Sequence, residues 1–245
     1  MIEILSQYGQ LLLVGQYPDG PMGGLALTLA MSLAALLLAF PVAVIVAIAR
    51  SSPIPVVRRV ASVYVTAVRG LPLLLIIFWS YFMLPLLTGV KASATVTVIC
   101  ALVIYEGAYL GEAIRAAIGA LPKGQTEAAR SLGMSYAMTL WKVILPQALF
   151  NCLPSMMNQF VLIVKNTSLA HIIGAHEVTF SANSINAQLL TRPFEVYFIL
   201  AAIYFVLCYS LSRISRLLER RVLRKRLGQA ATPIPANPSL AGISS

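Results

Sequence analysis

Charged and polar side chains stand inside stretches of this sequence that are otherwise apolar. A charge at bilayer depth is costly, so such a side chain usually faces a cavity or a partner and often marks the path of a polar solute. An amine at that depth can hold a carboxylate, and neighbouring amides and hydroxyls can add hydrogen bonds. The predicted path residues are Glu106, Tyr109 and Glu112 in one stretch, and Lys165, Asn166, Thr167 and Ser168 in another.

Purely structural roles are an alternative for the same side chains. Glu112 and Arg115 are three residues apart, so they can form a salt bridge near a helix end. Lys165 follows Pro154 by about 16 Å of helix, which places it near the middle of a bilayer. It can pair with Glu106 or with a carboxylate of another subunit, or it can hold the α-carboxylate of an amino acid. The sequence alone favours neither role.

Five long apolar stretches carry these side chains. Hydrophobic residues make up 59% of the 245 residues and charged residues only 11%, whereas soluble domains have about 25% charged residues. A helix of about 20 residues crosses a bilayer. We therefore predict an all-α integral membrane protein with about five transmembrane helices, preceded by an interfacial periplasmic segment at residues 1–21. The stretches are Gly23–Ala49, Leu71–Leu87, Ala94–Tyr105, Leu153–Val164 and Val196–Leu211.

The basic residues are distributed unevenly along the chain. Most of the 18 Lys and Arg residues follow the first, third and fifth apolar stretches, whereas only Lys91 and Arg192 follow the second and fourth. Because cytoplasmic loops carry an excess of Lys and Arg, we predict a periplasmic N-terminus and a cytoplasmic C-terminus. The net charge of +10 then reflects topology, which argues against nucleic-acid binding.

The sequence shows no pattern typical of a catalytic or metal site. Its cysteines, Cys100, Cys152 and Cys208, lie in apolar stretches without a motif spacing. We find no phosphate-binding loop, no nucleophile–base arrangement and no metal-ligand spacing. We therefore predict that the chain is not an enzyme and has no cofactor or metal. Energy from ATP would have to come from a partner.

A polar segment at about residues 121–146 separates the third and fourth apolar stretches. Helix formers run from Glu127 to Leu132, Gly133 can take the left-handed conformation that ends a helix, and Ser135 can cap a second helix. The residues themselves allow two interpretations. The segment is either a helix–turn–helix that docks on another protein, or a connector that packs against its own spans.

The spacing within this segment resembles the EAA loop of the permease subunits of ABC importers. The matching positions are Glu127, Ala128, Ala129, Gly133, Val143, Leu145 and Pro146, with valine where isoleucine is usual. Other segments resemble the polar-amino-acid (histidine/arginine/glutamate) type of these permeases: Arg69–Leu74, Ala108–Arg115 and Lys165–Leu169. The resemblance covers about residues 20–225, and at Tyr105–Tyr109 it is nearest to the glutamate/aspartate type.

The resemblance implies a type I ABC-importer transmembrane domain at residues 22–218 and a basic, then disordered, cytoplasmic tail at 219–245. It implies a multi-pass permease of the bacterial inner membrane that carries a polar L-amino acid, with glutamate or aspartate favoured. The implied partners are a pair of ABC ATPase subunits, a periplasmic amino-acid-binding protein, a second permease subunit and membrane lipid. The EAA loop would couple the permease to the ATPase, and Glu127 would lie near the contact while Gly133 would form the turn. The implied coupling residues are Glu127, Ala128, Ala129, Gly133, Leu145 and Pro146.

Two other function classes are alternatives. A self-contained, ion-coupled secondary amino acid transporter would show an inverted repeat and its own ion site, and no repeat is evident in the sequence. A membrane scaffold without transport activity would tolerate replacement of the polar residues inside the spans.

Overall fold

The structure, a computed structural model, describes residues 1–89 and 91–230. Within these residues it is almost entirely helical and has no named strand, which confirms the predicted all-α class. In chain order the helices are α1 (Ile2–Val14), α2 (Gly24–Arg50), α3 (Pro55–Arg69), α4 (Leu73–Thr88), α5 (Ala94–Gly119), α6 (Lys123–Ser131), α7 (Tyr136–Ile173), α8 (Val178–Leu189) and α9 (Pro193–Ala230).

Four of these helices are long and apolar enough to cross a membrane: α2, α5, α7 and the part of α9 that ends at Leu217. Helices α3 and α4 form a fifth crossing if the pair is counted as one span with a bend of 102°. The bend lies at Pro72, which has no N–H to continue the ladder of α3. The prediction of about five spans is confirmed. The sides on which the termini lie stay a prediction.

Helix α7 is longer than the sequence suggests. The sequence predicts a second helix capped by Ser135 and a separate apolar stretch at Leu153–Val164, but one continuous helix runs from Tyr136 to Ile173. A π-helical turn at Leu140–Ile144 precedes Pro146, and such a turn accommodates residues that do not fit the regular ladder. The polar segment is therefore joined rigidly to the fourth span.

The last helix continues well beyond its apolar part. Helix α9 ends at Ala230, so the first residues of the predicted tail, 219–230, are helical. The rest of that tail, residues 231–245, lies outside the described residues.

Helices α2 and α5 pack against each other very closely. On α2 the alanines 35, 39, 43 and 47 are fully buried and recur every fourth residue, so they form one face. On α5, Gly107 and Gly111 are spaced as in the motif that lets membrane helices approach closely. A Cβ atom added at Gly111 would lie only 2.8 Å from Cγ1 of Val46. This contact sets the distance between the two helices that carry Arg50 and Glu112.

A buried carboxylate joins three helices near the start of α8. Glu177 is fully buried and caps α8 by accepting from the N–H groups of Thr179 and Phe180, both at 2.9 Å. The hydroxyl of Tyr204 on α9 donates to the same carboxylate at 3.2 Å, and Thr28 on α2 lies at 3.5 Å. Burial raises the pKa of Glu177, and the hydrogen bonds oppose that rise.

Candidate functional site: a coupling segment and three polar sites

The coupling segment, residues 121–146, consists of α6, a turn and the first turns of α7. Gly133 has a φ of +80°, and the N–H of Met134 donates to the carbonyl of Ala129, as in a Schellman motif. Ser135 then caps α7 by accepting from the N–H of Met138 at 3.2 Å. The left-handed glycine and the serine cap that we predicted are both present.

One face of the coupling segment presents apolar side chains to the outside of the subunit. Leu132 is 84% exposed and Trp141 is 57% exposed, and Met138 is exposed between them along the chain. Glu127 and Ala128, two of the predicted contact residues, are exposed as well. Apolar side chains this exposed on a polar segment are typical of a surface that another protein covers.

The opposite face of the coupling segment holds it against its own subunit. Ala129 and Leu145 are buried, so these two predicted coupling residues attach the segment, whereas Pro146 is exposed. The side-chain amide of Gln147 donates to the side-chain oxygen of Gln125 at 2.6 Å, which ties α7 to α6. The two interpretations of the segment, docking on another protein and packing against its own spans, are therefore compatible, because they concern exposed and buried residues respectively.

A second attachment joins the coupling segment to the end of α2. The hydroxyl of Tyr136 donates to the backbone carbonyl of Ser51 at 2.8 Å. Ser51 directly follows Arg50, the last residue of α2. A displacement of the segment therefore acts on the end of that span as well as on α7.

Glu106 lies in a closed contact between α5 and α7. It is fully buried, and its carboxylate accepts hydrogen bonds from the side-chain amides of Gln159 and, at 3.3 Å, Asn166. Polar side chains that bond across two spans stabilise the pairing of membrane helices. Thr167 is also fully buried and donates to the carbonyl of Val164.

Lys165 faces the opposite side of α7 and lines a groove between α7 and α9. The groove has a volume of about 540 Å³. The amine of Lys165 forms no ion pair or hydrogen bond with any residue that the structure describes. The pair with Glu106 is therefore not formed, and a carboxylate of another subunit stays an alternative partner. Among the side chains that the structure describes, those lining the groove include a second cation, Arg216, and no acidic residue. The other residues that line it are Ser168, Ala201, Tyr204, Phe205, Cys208, Tyr209 and Ser212.

Tyr109 and Glu112 lie in a third place, a pocket between α2, α3 and α5 of about 370 Å³. Glu112 is bonded to Arg115 at 2.6 Å, as predicted, and also lies 3.2 Å from Arg50 of α2. The guanidinium of Arg69 stands 5.0 Å from the ring centre of Tyr109. Three arginines therefore surround one carboxylate.

The seven predicted path residues thus lie in three places. Adjacent residues of a helix point about 100° apart, so Lys165 and Asn166 face different neighbours although the sequence groups them. Sequence reasoning did not assign Arg50, Arg69 and Arg216 to any site. All three were counted among the basic residues that predict topology, and Arg69 is also part of a resembling segment.

Comparison with known proteins gives a single family. Residues 39–224 match the sequence family described as "Binding-protein-dependent transport system inner membrane component". The chain is 40% identical over 200 residues to GlnP of Bacillus subtilis, named as a probable glutamine ABC transporter permease; the match covers 81% of this chain and 91% of the relative. It is 33% identical over 220 residues to GluD of Corynebacterium glutamicum, a glutamate transport system permease, covering 88% and 80%.

Solved structures agree with this assignment. A chain from the crystal structure of an amino acid ABC transporter with histidines has a TM-score of 0.74 and 38% identity, and the match covers 81% of this chain and 92% of that one. An inward-facing structure of the MetNI methionine ABC transporter has a TM-score of 0.60 at 21% identity, covering 79% and 93%. This more distant similarity shows the fold alone.

Proposed function

Because this chain belongs to the family of inner-membrane components of binding-protein-dependent transport systems, we propose that it is the permease subunit of an ATP-driven importer for a polar L-amino acid. It works in the bacterial inner membrane with a pair of ABC ATPase subunits, a second permease subunit and a periplasmic amino-acid-binding protein. The ATPases supply the energy, and the permease forms the path.

The coupling segment is the observation that carries this proposal. Its exposed face, with Leu132 and Trp141, offers an apolar contact to an ATPase subunit. Its other end is continuous with the fourth span through α7. A movement of the docked ATPase is therefore transmitted to that span along one helix, and to α2 through the bond between Tyr136 and Ser51. Only contacts that differ between the two ATPase states can drive such a switch.

The groove between α7 and α9 supports an acidic substrate, glutamate or aspartate. The relatives' names include both glutamine and glutamate, so this part of the proposal rests on the groove and not on the similarity. Lys165 and Arg216 give the groove a positive charge, and Ser168, Tyr209 and Ser212 offer hydroxyl groups. A lysine that has no partner among the described residues attracts a carboxylate, and the attraction is stronger where protein and lipid exclude water.

The coupling role is tested by reconstituting the permease with its ATPase and binding protein in liposomes. Gly133→Ala puts a Cβ on a left-handed residue, which costs about 1–2 kcal/mol and re-aims α6. Gly124→Ala is the matched control, because it is in the same segment, has no left-handed φ and meets no atom within 4 Å. We expect Gly133→Ala and Glu127→Lys to insert normally but to lose ATPase association or uptake. Normal uptake by both variants would remove the coupling assignment.

The path role is tested by Lys165→Met in the same liposomes. We expect uptake of labelled L-glutamate to fall by at least about tenfold, as for the loss of one charge-assisted contact, while the ATPase remains bound. Lys91→Met, in the short loop after α4, is the control for loss of one positive charge. If uptake by Lys165→Met equals that of the control, Lys165 is structural. If the unaltered permease concentrates solute without its ATPase, the proposed function itself is wrong.

A further inference from the structure

The pocket between α2, α3 and α5 contains more positive charge than its own carboxylate can balance. Glu112 is already bonded to Arg115 and lies within 3.2 Å of Arg50. Arg69 forms no hydrogen bond or ion pair with any described residue. Its guanidinium instead makes a cation–π contact with the ring of Tyr109. A guanidinium without a planar acceptor leaves five N–H donors to water or to a ligand.

The hydroxyl of Tyr109 adds a donor beside this guanidinium. It accepts a hydrogen bond from the hydroxyl of Tyr105 at 3.3 Å, so its own hydrogen is left for another acceptor. Thr66 and Gly70 complete the polar wall next to Arg69. Arg69 and Tyr109 thus line one space of about 370 Å³, and Arg50 lines the same space.

We infer that this pocket is a binding site for an oxyanion, with Arg69 and Tyr109 as its direct donors and with Arg50 supplying further positive charge. A carboxylate or a phosphate matches the fork of a guanidinium bidentately, which is the strongest form of charge-assisted hydrogen bond. Two sources carry this group: the α-carboxylate of the transported amino acid and the headgroup phosphate of an anionic phospholipid. The inference rests on the proposed function only if the bound group is the α-carboxylate of the transported amino acid.

This site is distinct from the groove that contains Lys165. The groove lies between α7 and α9, whereas the pocket lies between α2, α3 and α5, and the two share no residue. Variants in the two places therefore separate the two proposals.

The amino acid source is tested with the permease–ATPase complex in phosphatidylcholine nanodiscs, without nucleotide or binding protein. The ligand is labelled L-glutamate, the proposed substrate, and the competitors are L-glutamine, which keeps the α-carboxylate, and 4-aminobutanamide, which has no carboxylate. We expect Arg69→Gln to weaken glutamate binding by at least about tenfold, and glutamine to compete better than 4-aminobutanamide. Arg59→Gln, which removes an exposed arginine from the same helix, should leave binding unchanged.

The lipid source is tested with the same variants in nanodiscs that contain phosphatidylglycerol, by counting retained lipids with native mass spectrometry. If the ligand is a lipid, Arg69→Gln should lose a phosphatidylglycerol that Arg59→Gln keeps. Arg69→Lys retains the charge without the fork and should recover part of the binding, which shows that the loss is not a folding defect.

The inference is overturned if neither glutamate nor phosphatidylglycerol binding depends on Arg69, or if the unaltered complex binds neither. Glutamate binding that is lost in Lys165→Met and unchanged in Arg69→Gln also overturns the amino acid source. Failure of the proposed function shows differently: the reconstituted complex would show no ATP-driven uptake, whatever the effect of Arg69 on binding.

Discussion

Replacing Gly111 by alanine tests whether the close approach of α2 and α5 holds the spans together. The new Cβ would lie 2.8 Å from Cγ1 and 2.9 Å from Cβ of Val46, and 3.2 Å from the carbonyl oxygen of Ala43. Rotation of the valine side chain relieves only the first of these contacts. The other two atoms move only with the backbone of α2, so the helices have to separate.

The size of the effect follows from a matched replacement in the same helix. A Cβ at Gly119 meets no heavy atom within 4 Å. Both replacements gain about 1 kcal/mol of helix propensity over glycine, so this contribution cancels when the two variants are compared. Overpacking a close contact costs about 1–3 kcal/mol. We therefore expect Gly111→Ala to be less stable than Gly119→Ala by about 1–3 kcal/mol.

The measurement is the free energy of unfolding in mixed micelles of increasing SDS content, followed by the fluorescence of Trp79 and Trp141. In Gly107→Ala the new Cβ would lie 2.7 Å from Cγ1 of Val42. This variant should also have a lower free energy of unfolding than Gly119→Ala. Equal free energies for Gly111→Ala and Gly119→Ala, within about 0.5 kcal/mol, would refute the argument that glycine sets the distance between these helices.

Further outcomes follow from the buried carboxylates and from the coupling segment. Glu106→Ala leaves the amides of Gln159 and Asn166 without an acceptor, so we expect the free energy of unfolding to fall by about 2–4 kcal/mol in the same assay. Glu106→Gln keeps an acceptor and should lose less stability. Equal losses in the two variants would contradict the role of Glu106 as the acceptor. Because burial raises the pKa of Glu177 in the folded state, its contribution to stability is greatest below the ordinary pKa of Glu and falls as the pH rises through the folded-state pKa. Glu177→Gln should flatten that fall in a plot of thermal midpoint against pH, and an unchanged slope would show that this residue does not cause it. Tyr136→Phe removes the hydrogen bond between the coupling segment and α2, which is worth about 0.5–1.5 kcal/mol. We expect this variant to transport fewer amino acids per ATP hydrolysed. An unaltered ratio of transport to hydrolysis would mean that α7 alone transmits the movement.

The coupling segment shows how much of a candidate site a sequence can predict when its geometry is local. A left-handed residue favours glycine, and a helix N-cap favours serine, so Gly133 and Ser135 fixed the turn and the cap before the structure was known. The fusion of the second helix with the fourth span was not predictable in this way. A proline at position 146 normally argues against continuity, and only the π-helical turn before it shows how continuity is achieved.

Composition and the order of charges determined by themselves that this protein is an all-α membrane protein with about five spans, because burial in lipid requires long apolar helices whatever their neighbours are. The tertiary structure alone decided what each polar side chain inside the spans does. Lys165 and Asn166 are adjacent in sequence, yet one faces an open groove and the other a buried carboxylate. Arg50 and Arg69 are far from Glu112 in sequence, yet they line the same pocket as Glu112. Which helix faces which is set by long-range packing, such as the contact of Gly111 with Val46, and this packing has no local signature in the sequence.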